Sequence, residues 1–216
     1  MTRKTAAACI ALFAFAASAA FPVLAGGLES LEAFVKSTKS GRASFTQVVS
    51  APQREGQASR TRTSSGNFEF HRPNRFRFDY RKPFEQTIVA DGQTLWLYDA
   101  DLNQVTARRQ DAVLGSTPAA LIASAPDLAT LRKEFELQAA PEKDGLQWVL
   151  ATPKNREGQL RSMSLGFRGD ELAKLEILDG FGQRSQITFD KMELNAAVPA
   201  ERFQFKPPQG ATVLKQ

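Results

Sequence analysis

Chemistry at neutral pH needs a base, a nucleophile or a cluster of metal ligands, and this chain of 216 residues offers little of any. It holds one histidine, His71, between Phe70 and Arg72, and one cysteine, Cys9. A hydrolytic triad sets an imidazole or another base beside a hydroxyl or thiol. His71 reads instead as a strand-end residue at the surface. Zinc requires three or four clustered ligands, which one histidine cannot supply, so no metal or other cofactor is expected. Asp99 and Asp101 are close in sequence but sit at a turn between strands, where solvated acids are the simpler reading. Gly180-Phe-Gly182 is a hairpin rather than a phosphate loop, because no helix and lysine follow it. These residues argue against an enzyme.

The rings are more informative. Trp96, Trp148, Tyr80, Tyr98 and most of the 16 phenylalanines recur at alternate positions of extended segments. In Arg75-Phe-Arg-Phe-Asp-Tyr80, Phe76, Phe78 and Tyr80 fall on one face and Arg75, Arg77 and Asp79 on the other. Such rings either fill a core or line a cavity for an apolar ligand. An acyl chain gains about 0.8 kcal/mol per buried methylene, so a lined cavity would bind one firmly. Periodicity alone does not choose between the two.

The first 25 residues are read apart from the fold. Arg3 and Lys4 precede an apolar run from Ala6 to Ala20, and Val23 and Ala25 are small residues suited to a cleavage site. A secretory signal cut after Ala25 is expected. The run is short for a spanning helix, and Cys9 lies inside it rather than after the cut, so neither a membrane anchor nor a lipid-modified cysteine is expected. Removal of Arg3 and Lys4 lowers the net charge from +5 to +3. That mild basicity suits anionic headgroups or an acidic partner and is too weak to indicate nucleic acid. Cys9 leaves with the signal, so the mature chain has no disulfide. Residues 26–216 are expected to be one soluble, monomeric domain.

Gly27 to Lys39 predicts a helix, with Leu28, Leu31, Phe34 and Val35 in one stripe and Gly41 ending it. From Ala43 the period drops to two. Strands are expected at 44–48, 66–70, 75–80, 84–90, 94–98 and 104–108, with Gln53 to Ser65 as a loop or frayed hairpin. Thr117 and Pro118 can open a short helix within Gly115 to Ala125, and Asp127 to Lys133 a further helical turn. Strands resume at 135–139, 146–152, 160–167, 172–178 and 185–194, and Phe203 to Pro208 is extended. Turn signals about every ten residues describe an antiparallel meander. The fold class is α+β: an incomplete, strongly curved antiparallel β-barrel of ten or eleven strands, with helices over its concave apolar face.

Several segments, in order, carry a resemblance. Ala43-Ser-Phe-Thr-Gln47, Phe70-His-Arg-Pro-Asn-Arg-Phe-Arg-Phe78, Asp91-Gly-Gln-Thr-Leu-Trp-Leu-Tyr98, Ser116-Thr-Pro-Ala-Ala-Leu-Ile-Ala123 and Phe203-Gln-Phe-Lys-Pro-Pro-Gln-Gly210 resemble the motifs of the LolA family of lipoprotein carriers. The resemblance covers about residues 40 to 212. It implies a periplasmic chaperone that takes lipoproteins by their acyl chains from an inner-membrane ABC transporter and passes them to an outer-membrane receptor, itself a lipoprotein of the same fold. It also implies that Arg72, the arginine of the Arg-Pro-Asn turn, latches the lid by bonding backbone carbonyls. Guanidinium suits that role, having five donors and a permanent charge. Val35, Phe76, Phe78, Leu121 and Ile122 are the lid and acyl-cavity residues by the same resemblance. A same-fold carrier or sensor of another lipid or glycolipid is the alternative. A receptor should show a lipid-modified cysteine and a sensor a second domain.

Overall fold

The computed structural model describes residues 26–52, 60–111, 127–155 and 158–216. The chain opens with helix α1 (Gly27–Ser37), whose buried side chains Leu31, Phe34 and Val35 form one apolar stripe. Thr38 ends the helix by turning extended, and strand β1 (Ser40–Ser50) starts at once. Gly41 therefore lies inside a strand rather than capping the helix, because the apolar alternation of β1 begins earlier than its rings suggest.

β1 runs antiparallel to β2 (Thr61–His71) along their whole length, from Ser40 opposite His71 to Ser50 opposite Thr61. The segment 61–65, expected as loop or frayed hairpin, is thus the strand of a hairpin; of the rest of that segment, 53–59 lie outside the described residues. β3 (Arg75–Lys82), β4 (Gln86–Asp91), β5 (Thr94–Asp99) and β6 (Gln104–Arg109) follow as a meander. Helix α2 (Leu128–Glu134) is capped by the Asp127 carboxylate, which accepts from the Thr130 amide at 2.7 Å. A second meander then runs through β7 (Phe135–Lys143), β8 (Leu146–Pro153), β9 (Leu160–Arg168), β10 (Glu171–Asp179) and β11 (Arg184–Leu194). A 3₁₀ turn at Ala200–Phe203 leads to β12 (Thr212–Lys215), which pairs parallel with β6. With that exposed final strand the described residues hold twelve strands, against about ten or eleven expected.

All twelve strands form one sheet, in the order β12-β6-β5-β4-β3-β2-β1-β11-β10-β9-β8-β7. The two meanders meet where β1 pairs with β11, and β12 and β7 are left as edges, so the barrel is incomplete. The sheet curls. The Phe34 ring of α1 lies 6.1 Å from that of Phe70 on β2 and 5.8 Å from that of Phe167 on β9. These strands are four places apart, which in a flat sheet is about 19 Å. One helix side chain touches both because the sheet wraps around it.

The concave side carries the core. Phe45, Phe68, Phe70, Phe76, Phe78, Phe167 and Phe189 gather there with α1 and Leu131 of α2. Gly27 lets the helix settle on β8: a Cβ at this position would stand 2.2 Å from the Trp148 carbonyl oxygen. The convex side of β2–β5 is covered by the chain's end. Phe203 is buried there, and Phe205 lies 5.5 Å from Trp96 and 6.2 Å from Tyr98. Among the described residues, no helix is long and apolar enough to cross a membrane.

Candidate functional site

The turn between β2 and β3 holds Arg72, Pro73 and Asn74, and Asn74 takes a left-handed φ of 62°. The turn is anchored on both sides. The Arg72 amide donates to the Lys39 carbonyl at 2.8 Å, and the Asn74 carbonyl accepts from Gln110 Nε2 at 2.6 Å. Gln110 Oε1 in turn accepts from the Gly92 amide at 2.9 Å, tying the Arg-Pro-Asn turn to the Asp-Gly hairpin.

The Arg72 side chain is buried, and its Nη1 donates to the carbonyls of Val35 at 2.6 Å and Phe34 at 3.4 Å. These oxygens belong to the last turn of α1, where the dipole is negative; Phe34 O also accepts from the Thr38 amide at 3.1 Å. The guanidinium also stacks 4.9 Å over the Phe34 ring and 5.9 Å from the Phe70 ring. Burial pushes its pKa down from 12.5 to about 10, which leaves it charged at neutral pH. Two of the residues singled out in the sequence, Arg72 and Val35, therefore meet directly.

Phe76 and Phe78 are buried in the aromatic cluster rather than lining open space. Phe78 packs 4.4 Å from Phe68 and 5.4 Å from Phe45. Leu121 and Ile122, with the whole helix expected at Gly115 to Ala125, lie outside the described residues. His71 sits at the end of β2 as expected, but half-buried: its Nδ1 is 3.2 Å from Arg75 Nη2 and its ring 6.4 Å from that of Phe203. Among the described residues, no group of three or more His, Cys, Asp or Glu is placed to hold a metal.

The concave face opens at the end away from Arg72. A cleft of about 670 Å³ lies there, lined by Gln47, Val49, Arg62, Ser64, Tyr80 and Phe84 among others. Its inner end is a polar bar across the sheet. Tyr80 Oη donates to Gln47 Oε1 at 2.9 Å, and Gln47 Nε2 donates to Ser185 Oγ at 2.7 Å. Below the bar stand Phe45, 5.0 Å from Tyr80, and Phe78, 6.3 Å from it. Burial raises the Tyr80 hydroxyl to about 12. Tyr80 was legible as an inward ring, but Gln47 was not, since only the register of β1 on β2 places it on the same face.

On the convex side, Arg202 bonds Glu69 at 2.6 Å and Asp79 at 3.1 Å, and Arg77 bonds Asp79 at 2.7 Å. This network fastens the chain's end to β2 and β3. Burial pushes the Asp79 carboxyl up, but Arg77, Thr87 and Arg202 outweigh it and hold it below its ordinary range.

A curled, open antiparallel sheet with a ring-filled concave face, a helix docked across it and a cleft at one end defines a half-barrel carrier. The LolA family, described as outer membrane lipoprotein carrier protein, matches residues 36–206, and the chain belongs to it. It is 63% identical over 212 residues to an outer-membrane lipoprotein carrier protein of Albidiferax ferrireducens, covering 96% of this chain and 97% of that one. It is 55% identical to one of Leptothrix cholodnii, over 89% of this chain and 87% of that one. Among solved structures it is similar to a LolA superfamily protein of Nitrosomonas europaea, with TM-score 0.46 and 14% identity over 83% of this chain and 96% of that one.

Proposed function

We propose that residues 26–216 form one periplasmic chaperone domain, released by cleavage after Ala25, that carries lipoproteins by their acyl chains. The observation that carries the reading is the concave face itself. Its aromatic floor is continuous with an open cleft, and it is roofed by a helix whose last turn is bonded by the Arg72 guanidinium and the Asn195 amide. Chains enter by parting the Phe34 ring of α1 from Phe70 of β2 and Phe167 of β9, and Arg72 gives up the carbonyls of Val35 and Phe34 as they do. Phe76 and Phe78, with Val35 on the helix, then contact hydrocarbon, and the family resemblance adds Leu121 and Ile122 to the acyl contacts. Cargo comes from an inner-membrane ABC transporter and goes to an outer-membrane receptor lipoprotein of the same fold. The protein performs no chemistry on it.

The test is displacement of an apolar fluorophore from the purified mature protein. A triacylated lipopeptide is expected to displace it, and the same peptide without acyl chains is not. Displacement by the deacylated peptide would replace the reading with peptide recognition, and displacement by a glycolipid alone would make the cargo another lipid.

A further inference from the structure

The concave face changes character along its length in step across three strands. Register sets Ala43, Phe68 and Phe78 side by side, then Phe45, Gly66 and Tyr80, then Gln47 with Ser64, then Val49 with Arg62. The first row is apolar, and the last opens into the cleft. Gly66 lets β2 and β3 approach closely in the second row: a Cβ there would stand 2.0 Å from the Asp79 carbonyl oxygen, and the Phe45 and Tyr80 rings on either side of it lie 5.0 Å apart. The first polar atoms met on leaving the aromatic floor are the Tyr80 hydroxyl and the Gln47 amide, hydrogen-bonded to each other at 2.9 Å.

An acyl chain has the same gradient, since it is a hydrocarbon that ends in a carbonyl. We propose that Tyr80 and Gln47 form a subsite for the carbonyls at the heads of the acyl chains. The inference rests on the carrier reading and adds to it a preference for ester- or amide-linked chains over plain alkyl chains. With hydrocarbon along Phe45 and Phe78, the head carbonyl arrives level with the bar. It accepts from Tyr80 Oη or Gln47 Nε2, which exchange Gln47 Oε1 and Ser185 Oγ for it. The glycerol and peptide then occupy the cleft. A buried phenol keeps its proton through the physiological range, so the donor is always present. An ether-linked chain has a methylene where the carbonyl would stand and offers the released donor only its ether oxygen, one bond away.

The experiment compares two lipopeptides of equal chain length, one with ester-linked and one with ether-linked chains, in displacing an apolar fluorophore from the mature protein. Wild type is expected to bind the ester form about fivefold more tightly, the worth of one neutral hydrogen bond. Tyr80→Phe keeps the ring contacts and is expected to weaken the preference while holding ether affinity within about twofold, and its combination with Gln47→Leu to abolish it. Gln47→Leu should do the same by a different atom. Equal affinity of wild type for both forms, or a preference that survives both substitutions, overturns the subsite and leaves the carrier reading standing. Binding of neither form overturns the carrier reading, and the subsite with it.

Discussion

Arg72 Nη1 lies 2.6 Å from the Val35 carbonyl oxygen, joining the turn between β2 and β3 to the last turn of α1 across 37 residues. The bond places a buried cation on the negative end of a helix. It also fixes the helix from one side only. The other side of the α1–β1 junction is held by Asn195, whose side chain accepts from the Lys39 amide at 2.8 Å and donates to the Ser37 carbonyl at 3.1 Å. Losing the Arg72 contact loosens the last turn of the helix, while Asn195 and the burial of Leu31, Phe34 and Val35 keep it attached.

On the proposed reading the Arg72 bonds exist only in the closed, empty state, so they favour release of cargo. A hydrogen bond from a charged donor is worth about 1.5–3 kcal/mol. Arg72→Leu is therefore expected to remain folded, bind acylated cargo about tenfold more tightly or better, and hand over less of it. Transfer from loaded protein to receptor-bearing vesicles measures this. Equal transfer by variant and wild type would remove Arg72 from the mechanism.

Phe78 separates core from cavity. It is 8% exposed and ringed by Phe45, Phe68, Phe76 and Tyr80. Phe78→Ala is expected to cost about 3–5 kcal/mol in urea unfolding, while Phe78→Leu costs less and weakens fluorophore binding. Unchanged binding in Phe78→Leu would assign the ring to packing alone.

The sequence made the strands legible wherever rings alternate, as in β3 and β5, because burial on one face imposes a period of two. It hid the first half of β2, where Thr61, Arg62 and Thr63 are exposed and carry no apolar alternation. It hid β12 for the same reason, since all four of its residues are exposed. Arg72 stood out only through its motif. Its partners are backbone carbonyls, which any residue supplies, so no side-chain pattern announces them. The Glu69–Arg202–Asp79 network joins residues more than 120 positions apart and becomes visible only when the chain's end folds back.

That network yields a pH prediction. The Asp79 carboxyl is held below its ordinary range, so its contribution is fully present above the unfolded value of about 3.9 and is lost as pH falls through the lower folded value. Residues 200–206 are expected to lose amide-exchange protection, relative to the intrinsic rate at each pH, below about pH 4 and ahead of the β1–β2 hairpin. Asp79→Asn should show the same loss already at neutral pH. Protection that is flat down to global unfolding in wild type would mean that Phe203 and Phe205 hold the segment without the ion pairs.

Gly27 tests the docking of α1 from its other end. A Cβ added there would stand 2.2 Å from the Trp148 carbonyl oxygen and 3.0 Å from a Val149 methyl. The first obstacle is backbone within the sheet, so the helix must rise rather than the strand give way. Gly27→Ala gains a little helix propensity but is expected to lose about 1–3 kcal/mol overall from the forced shift. Because Phe34 and Val35 lie on the same rigid helix, lifting its start also loosens the Arg72 contact at its end. The variant should therefore unfold at lower urea with an unchanged slope and take up the apolar fluorophore faster than wild type. A Gly27→Ala protein as stable as wild type, with the same uptake rate, would show that the helix start is not seated against the β8 backbone.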